Sequence, residues 1–118
     1  MLAFQYRFHG HGSLRYVYKK GIAVRSRTMT VKTTRNKKRS VSRFSVVVSK
    51  KVHKSAVGRN RIRRRLYEII RREIPAIIRV HDVVLIVSSS EVMTASHDDL
   101  QAQVRTLFQD ADLYKAND

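Results

Sequence analysis

Cysteine is absent from this sequence of 118 residues, and proline and glycine are scarce. Without thiols the chain cannot form a disulfide, a thiolate metal site or a cysteine nucleophile. No run of about 18 apolar residues occurs, so the sequence predicts no membrane-spanning helix and no membrane partner. The lack of cysteine also fits a reducing compartment, and we expect a cytoplasmic protein. Apolar residues make up 42% of the chain, which is enough for a folded core.

Acidic residues are almost missing from the first two thirds of the chain. The sequence has 25 basic and 9 acidic residues, a net charge of +16. Residues 1–79 hold 23 of the basic and 2 of the acidic residues, whereas residues 80–118 hold 2 and 7. Such an excess of positive charge repels itself in a compact protein. A polyanion would relieve that repulsion, so the composition favours a nucleic-acid partner.

Catalytic patterns are also missing. The sequence contains no Ser-His-Asp arrangement, phosphate-binding glycine loop or dinucleotide-binding glycine pattern. Asp98 and Asp99 are adjacent on a predicted helix, point about 100° apart and are better explained by capping. His9 and His11 have no third ligand nearby, so we expect no metal site and no cofactor bound by the protein. We therefore predict no catalytic residue in this chain.

Hydrophobic periodicity predicts one α+β domain over residues 1–118, with 1–12 and 111–118 loosely ordered. Met29 and Val31 alternate with polar residues, as do Phe44, Val46 and Val48, which is typical of strands. Glycine at position 21 should end the first helix, and Pro75 the longest one. The predicted order is α-β-β-α-β-α, with a mixed sheet packed by helices. The predicted helices cover 13–20, 56–74 and 97–108, and the predicted strands cover 27–34, 43–49 and 81–88.

The start of the longest helix carries charge of the wrong sign for stability. Five arginines fall within residues 59–65, and no acidic residue occurs before Glu68. Positive charge beside the positive end of the helix dipole is unfavourable, and rule violations of this kind are expected at functional sites. A phosphate bound by the free amides and guanidinium groups would remove the conflict. Gly58 would let a backbone approach closely. We predict RNA-binding residues here: Lys50, Lys51, Lys54, Arg59, Asn60, Arg61, Arg63, Arg64 and Arg65.

The segment SKKVHKSAVGRNRIRRRL, residues 49–66, closely resembles the signature of the bacterial ribonuclease P protein component. The pieces that carry the resemblance are Ser49-Lys50-Lys51, Ala56-Val57, Arg59-Asn60-Arg61 and Arg63-Arg64. The length, the charge and the order of the elements agree with that family over most of the chain. The resemblance also implies an uncommon left-handed βαβ crossover through the arginine-rich helix, against the usual right-handed rule.

The resemblance implies a role in maturation of tRNA 5′ ends. The protein would be a non-catalytic subunit of an endoribonuclease, with the chemistry, and the Mg²⁺, carried by the partner ribonuclease P RNA. It would bind that RNA through the 59–61 region and would need no further protein partner. A cleft between the first helix and the sheet would bind the 5′ leader of precursor tRNA. Leu14, Tyr18, Lys32 and Arg63 fall at its positions.

The sequence departs from the family at two of these cleft positions. Leu14 replaces a common phenylalanine, and Lys32 stands where tyrosine is frequent, so a stacking ring is exchanged for aliphatic bulk and for charge. The role of Tyr16 stays open between base stacking and core packing. A structural RNA-binding protein of the ribosomal type is the alternative that composition alone does not separate from this interpretation.

Overall fold

The fold was analysed in a computed structural model that describes residues 2–8 and 11–114. The predicted α+β architecture with a mixed sheet is confirmed, and a short strand, a short helix and two 3-10 turns are added to it. The helices are α1 (His11–Lys20), α2 (Ala56–Glu73), α3 (Glu91–Thr94) and α4 (His97–Asp110). The strands are β1 (Ile22–Arg25), β2 (Met29–Arg35), β3 (Arg43–Val48) and β4 (His81–Val87). Short 3-10 turns cover Phe4–Tyr6 and Ile74–Ala76.

The four strands form one sheet in the order β1-β2-β4-β3. Strand β2 pairs antiparallel with both β1 and β4, whereas β3 and β4 run parallel and are connected through α2. The register places Leu85 opposite Val31 on one side and Val46 on the other. This arrangement confirms the predicted βαβ unit, and its left-handed sense stays a prediction.

One face of the sheet packs against α2 and α4 to form the core. The alternating residues predicted for β2 and β3 point into it, and Met29, Val31 and Phe44 are at most 1% exposed. The predicted apolar stripe of α2 is also buried from Ile62 to Ile70, while Ile74 at the helix end is half-buried. The sequence did not reveal Tyr67, which is buried and accepts a hydrogen bond from the Val46 amide of edge strand β3 at 3.0 Å.

The described parts of both chain ends contain buried residues, and the expectation that residues 1–12 and 111–118 are loosely ordered stays a prediction. Leu2 is buried, and residue 7 forms a parallel bridge with Phe44. Leu113 is fully buried in the core, and Tyr114 donates a hydrogen bond to Glu73 at 2.7 Å. Apolar side chains at both ends thus fill the core that one sheet and three helices leave open. Met1, residues 9–10 and residues 115–118 lie outside the described residues, as does the side chain of His11.

The end of the first helix that Gly21 predicts is confirmed, and a serine caps the start of α4. Helix α1 ends at Lys20, and the Gly21 amide donates to the Val17 carbonyl at 2.8 Å. A Cβ at position 21 would collide with that carbonyl, so the close approach requires glycine. At the other end of the chain the Ser96 hydroxyl caps α4 by accepting from the Asp99 amide at 3.1 Å.

Candidate nucleic-acid interface

The start of α2 is capped by the protein itself. Ser55 has extended backbone angles (φ −81°, ψ 133°), and its hydroxyl accepts from the Gly58 amide at 3.3 Å. The first turn contains no acidic residue, so no carboxylate within that turn neutralises the positive end of this helix dipole. The electrostatic conflict inferred from the sequence is therefore present in the fold.

The structure requires glycine at position 58 for a different reason from the one that the sequence suggested. It is buried, and a Cβ there would overlap the imidazole ring of His53. That ring also accepts a hydrogen bond from the Ser55 amide at 3.2 Å. The interpretation that Gly58 opens the backbone to a phosphate is wrong, because the space beside its Cα is filled by the histidine.

Six polar residues around the start of α2 are exposed together. None of the five ion pairs found within residues 2–8 and 11–114 involves any of them. Glu68, the first acidic residue along α2, is engaged by Arg71 and Arg72, and the hydrogen bond from Arg71 lowers the pKa of its carboxyl group. The positive charge beside it is therefore uncompensated by the protein. We call these six residues the cationic surface: Lys50, Lys51, Lys54, Asn60, Arg61 and Arg64.

Arg59 and Arg63 are half-buried beside the cationic surface. The Nη1 atom of Arg59 donates to the carbonyl oxygens of His53 and Lys54, at 3.0 and 2.8 Å. The Nη1 atom of Arg63 donates to the side-chain oxygen of Asn60 at 2.5 Å. Arg59 thus fixes the preceding loop against the helix, while Arg63 orients the amide of Asn60 at the edge of the surface.

Arg65 faces the protein and not the solvent. Its guanidinium group donates to three carbonyl oxygens at the end of α3, those of Val92, Met93 and Ala95, at 3.0, 2.8 and 2.5 Å. Carbonyls at a helix end lack partners within the helix, and a cation satisfies both their hydrogen bonding and the dipole. The prediction that Arg65 binds RNA is not supported by this geometry, and we exclude it from the cationic surface.

Replacing Arg65 with alanine should destabilise the fold by about 2–3 kcal/mol, because charged hydrogen bonds to three carbonyls are lost. Arg64→Ala is the matched control: it removes the same charge from the neighbouring exposed position and should change stability by less than about 0.5 kcal/mol. Urea unfolding of both variants measures the difference. Equal stability of the two variants would contradict the capping role.

Three of the residues predicted for a leader cleft lie on the sheet face opposite the core. Leu14 and Tyr18 are one turn apart on α1, and Lys32 points outward from β2. The ammonium group of Lys32 lies 5.2 Å from the centre of the Tyr18 ring and donates to the Tyr18 carbonyl at 3.2 Å. Burial raises the pKa of the Tyr18 phenol. The fourth predicted residue, Arg63, belongs to α2 and contacts Asn60 instead.

A buried ion pair lies at the end of the sheet, and sequence reasoning missed it. Arg43 is the first residue of β3, and Asp82 is the second residue of the parallel strand β4. They are 3% and 5% exposed and form two hydrogen bonds of 2.9 and 2.7 Å. Asn36 donates to the same carboxylate at 3.0 Å, and the ring of Phe8 covers the guanidinium carbon at 4.9 Å. The only feature of the sequence that could indicate this pair is a charged residue near the start of each strand. A charged residue at such a position usually has its side chain exposed to solvent.

Beside this pair, burial lowers the pKa of His81, and Arg35 and Arg79 lower it further, while a backbone hydrogen bond and Asp82 oppose the shift. The folded state therefore binds a proton less readily than the unfolded chain, whose pKa is about 6.5. Stability from this group is present above about pH 6.5 and is lost as pH falls through the folded pKa. Urea unfolding at a series of pH values gives the unfolding free energy as a function of pH. For His81→Gln this free energy should fall less steeply with decreasing pH than for the original protein, and an identical dependence on pH would contradict the assignment.

Within the part of the chain that the structure describes, no three histidine or carboxylate side chains cluster as metal ligands would. None of the described helices is long and apolar enough to cross a bilayer. The arrangement that remains is an exposed cationic surface next to a helix start and, on the other sheet face, the contact between Tyr18 and Lys32. Both are suited to binding phosphates and bases.

Comparison with known proteins gives one consistent result. The family model described as Ribonuclease P matches residues 2–112. The ribonuclease P protein component of Synechococcus sp. is 39% identical over 77 residues, and that of Prochlorococcus marinus is 34% identical over 82 residues. These matches span 65% and 60% of this chain, and 57% and 64% of the two relatives.

The fold agrees with the same conclusion. The crystal structure of the Staphylococcus aureus RNase P protein superposes with a TM-score of 0.82 at 26% identity, covering 93% of this chain and 98% of that one. Since the family model spans nearly the whole sequence, and the charged segment of α2 carries the resemblance noted above, the assignment does not depend on fold alone. The chain belongs to the ribonuclease P protein family.

Proposed function

We propose that this chain is the protein subunit of ribonuclease P and binds the catalytic RNA through the cationic surface. The observation that carries the proposal is the positive charge at the start of α2, where the first turn contains no acidic residue and the exposed cations form no ion pair among the described residues. Phosphates of a folded RNA would neutralise Lys50, Lys51, Lys54, Arg61 and Arg64 and release counterions. Arg59 and Arg63 support this contact by holding the loop and Asn60 in place.

The 5′ leader of precursor tRNA would bind in the cleft formed by Leu14, Tyr18 and Lys32. The Lys32 ammonium already lies over the Tyr18 ring, so a base that stacks there must share or displace this cation–π contact. We therefore expect leader binding here to depend more on the phosphate than on the base. Leu14, which replaces a phenylalanine common in the family, also offers no ring for a base to stack on, so it supports the same expectation.

The protein would contribute binding and not bond cleavage. General acid–base catalysis needs titrating groups placed at the scissile bond, and the cationic surface consists of lysine, arginine and asparagine. The chemistry is proposed to belong to the partner RNA, together with Mg²⁺. Positive charge from the protein would lower phosphate repulsion in that RNA and so favour Mg²⁺ occupancy. We propose that the complex acts in the cytoplasm without a further obligate protein.

Reconstitution tests this proposal. Purified protein, a ribonuclease P RNA from the same organism and a labelled precursor tRNA are combined at a series of Mg²⁺ concentrations. We expect cleavage of the leader at lower Mg²⁺ with the protein than without it, and no cleavage by the protein alone. An unchanged Mg²⁺ requirement and unchanged precursor affinity would reject the role in processing and favour a structural RNA-binding protein.

A further inference from the structure

Tyr16 lies on the opposite side of α1 from Tyr18. Two residues along an α-helix are separated by about 200°, so the two rings cannot belong to one cleft. Tyr16 is 58% exposed, which excludes the core-packing role left open by the sequence. A large aromatic ring kept in solvent is therefore available to a ligand on a side of the helix that the proposed leader cleft does not use.

Two clefts flank the Tyr16 ring. The first, of about 580 Å³, lies between the start of α1 and the loop that follows β2. The second, of about 410 Å³, lies between the end of α1 and the start of β4. Tyr16, Thr34 and Arg35 line both of them. Each is within the size range of sites for ligands as large as a nucleotide. Because the two clefts share these three residues, we treat them as one path past the ring.

The walls of both clefts are mainly cationic. Arg35, Lys37 and Lys38 line the first cleft, and its one carboxylate, that of Asp82, is already held by Arg43. Basic side chains also line the second cleft, where Asp112 is the one acidic residue. The path therefore has a net positive charge along its length, with an aromatic ring near its middle. We call the exposed aromatic and basic residues of this path the Tyr16 strip: Tyr16, Lys20, Arg35, Lys37, Lys38 and Arg79.

Arg43 adds an unused donor to the wall of the first cleft. Its side chain is 3% exposed, and its Nη1 atom has no hydrogen-bond partner among the described residues. Buried polar atoms are nearly always paired, so this guanidinium nitrogen is a donor for an oxygen from outside the described residues, either of water or of a ligand. A phosphate or base oxygen in the cleft would supply it.

We propose that the Tyr16 strip binds single-stranded RNA, with one base stacked on Tyr16 and the neighbouring phosphates held in the two clefts. Alternation of a stacking ring with cations is how proteins hold single strands without reading their sequence. A duplex is disfavoured because its bases are not free to stack on the ring. The inference rests on the proposed function for the origin of the strand, which is either an extended precursor leader or a single-stranded segment of the catalytic RNA.

Binding of a labelled, unstructured oligoribonucleotide to the full chain tests the strip directly by fluorescence anisotropy. Tyr16→Ala should weaken binding about tenfold, and Tyr16→Phe, which keeps the ring, should bind as the original protein does. Lys38→Ala should weaken binding more than Arg39→Ala, a matched loss of charge in the same loop outside the clefts. Because Tyr16 and Lys38 are exposed, urea unfolding should show unchanged stability.

Unchanged affinity of Tyr16→Ala, or equal effects of Lys38→Ala and Arg39→Ala, would overturn the proposal. The source of the strand is decided by two further titrations of Tyr16→Ala. A defect with precursor tRNA that disappears when the leader is removed assigns the strip to the leader, whereas a defect with the catalytic RNA alone assigns it to that RNA. The oligonucleotide assay contains neither RNA, so its failure is distinguishable from a failure of reconstitution.

Discussion

Replacing Asp82 with alanine is expected to destabilise the protein by about 3–5 kcal/mol. The change leaves the guanidinium group of Arg43 buried at 3% exposure without its carboxylate, and an uncompensated buried charge is among the most costly defects in a fold. Asn36 also loses its acceptor at the end of the sheet. Since small domains are stable by only about 5–15 kcal/mol, the variant should unfold at a much lower urea concentration.

A double variant shows whether Asp82→Ala destabilises the fold because it leaves a buried charge unpaired or because the ion pair itself is stabilising. Arg43→Met combined with Asp82→Leu replaces both charges by apolar groups, and such replacements are often neutral. We expect its urea midpoint to lie well above that of Asp82→Ala and close to that of the original chain. If Asp82→Ala alone were as stable as the original protein, the buried pair would have no structural role.

Replacing Arg61 and Arg64 together with alanine should weaken binding to the catalytic RNA about 100-fold. Both side chains are exposed on the cationic surface, and a hydrogen bond to a charged group contributes about 1.5 kcal/mol or more. Two lost contacts thus amount to about 3 kcal/mol. The dependence of log K on log salt should also become shallower by roughly one to two units, because fewer counterions are released.

Arg71→Ala with Arg72→Ala is the matched control on the same helix. It removes an equal charge about 15 Å away, where both arginines are paired with Glu68. Its affinity should fall much less than that of the Arg61 and Arg64 variant, while both variants stay folded. Equal losses for the two would show that total charge, and not the position at the helix start, determines RNA binding.

The elements that the sequence predicted well are those whose burial has a regular period. Met29, Val31 and Phe44 alternate with polar neighbours, and Ile62 and Leu66 repeat with the helical period, so their inward faces were evident. Strand β1 was missed because it is four residues long, and Ile22 at its start is 71% exposed. Residues 22–25 form a strand because they pair with β2, and their own sequence contains no pattern that predicts it.

The sequence located the region of positive charge that the fold exposes, but it did not separate the roles of the individual arginines within that run. Arg64 and Arg65 are neighbours in the same charge run, yet a rotation of 100° turns one to solvent and the other to the end of α3. Gly58 was likewise interpreted as leaving space for a ligand, whereas the space beside its Cα is occupied by the ring of His53. These distinctions depend on side-chain contacts with the loop before α2 and with the end of α3, which periodicity does not contain.

The central claim is that the start of α2 lies against the catalytic RNA, and site-specific cross-linking tests it most directly. The chain contains no cysteine, so a photoactivatable group can be attached to a single introduced thiol. Val57→Cys places it in the first turn of α2, at a side chain 68% exposed, without removing any charge. Thr106→Cys, exposed on α4, is the control. We predict efficient cross-links to ribonuclease P RNA from position 57 and few from position 106; cross-links that are equal, or that favour position 106, would contradict the account.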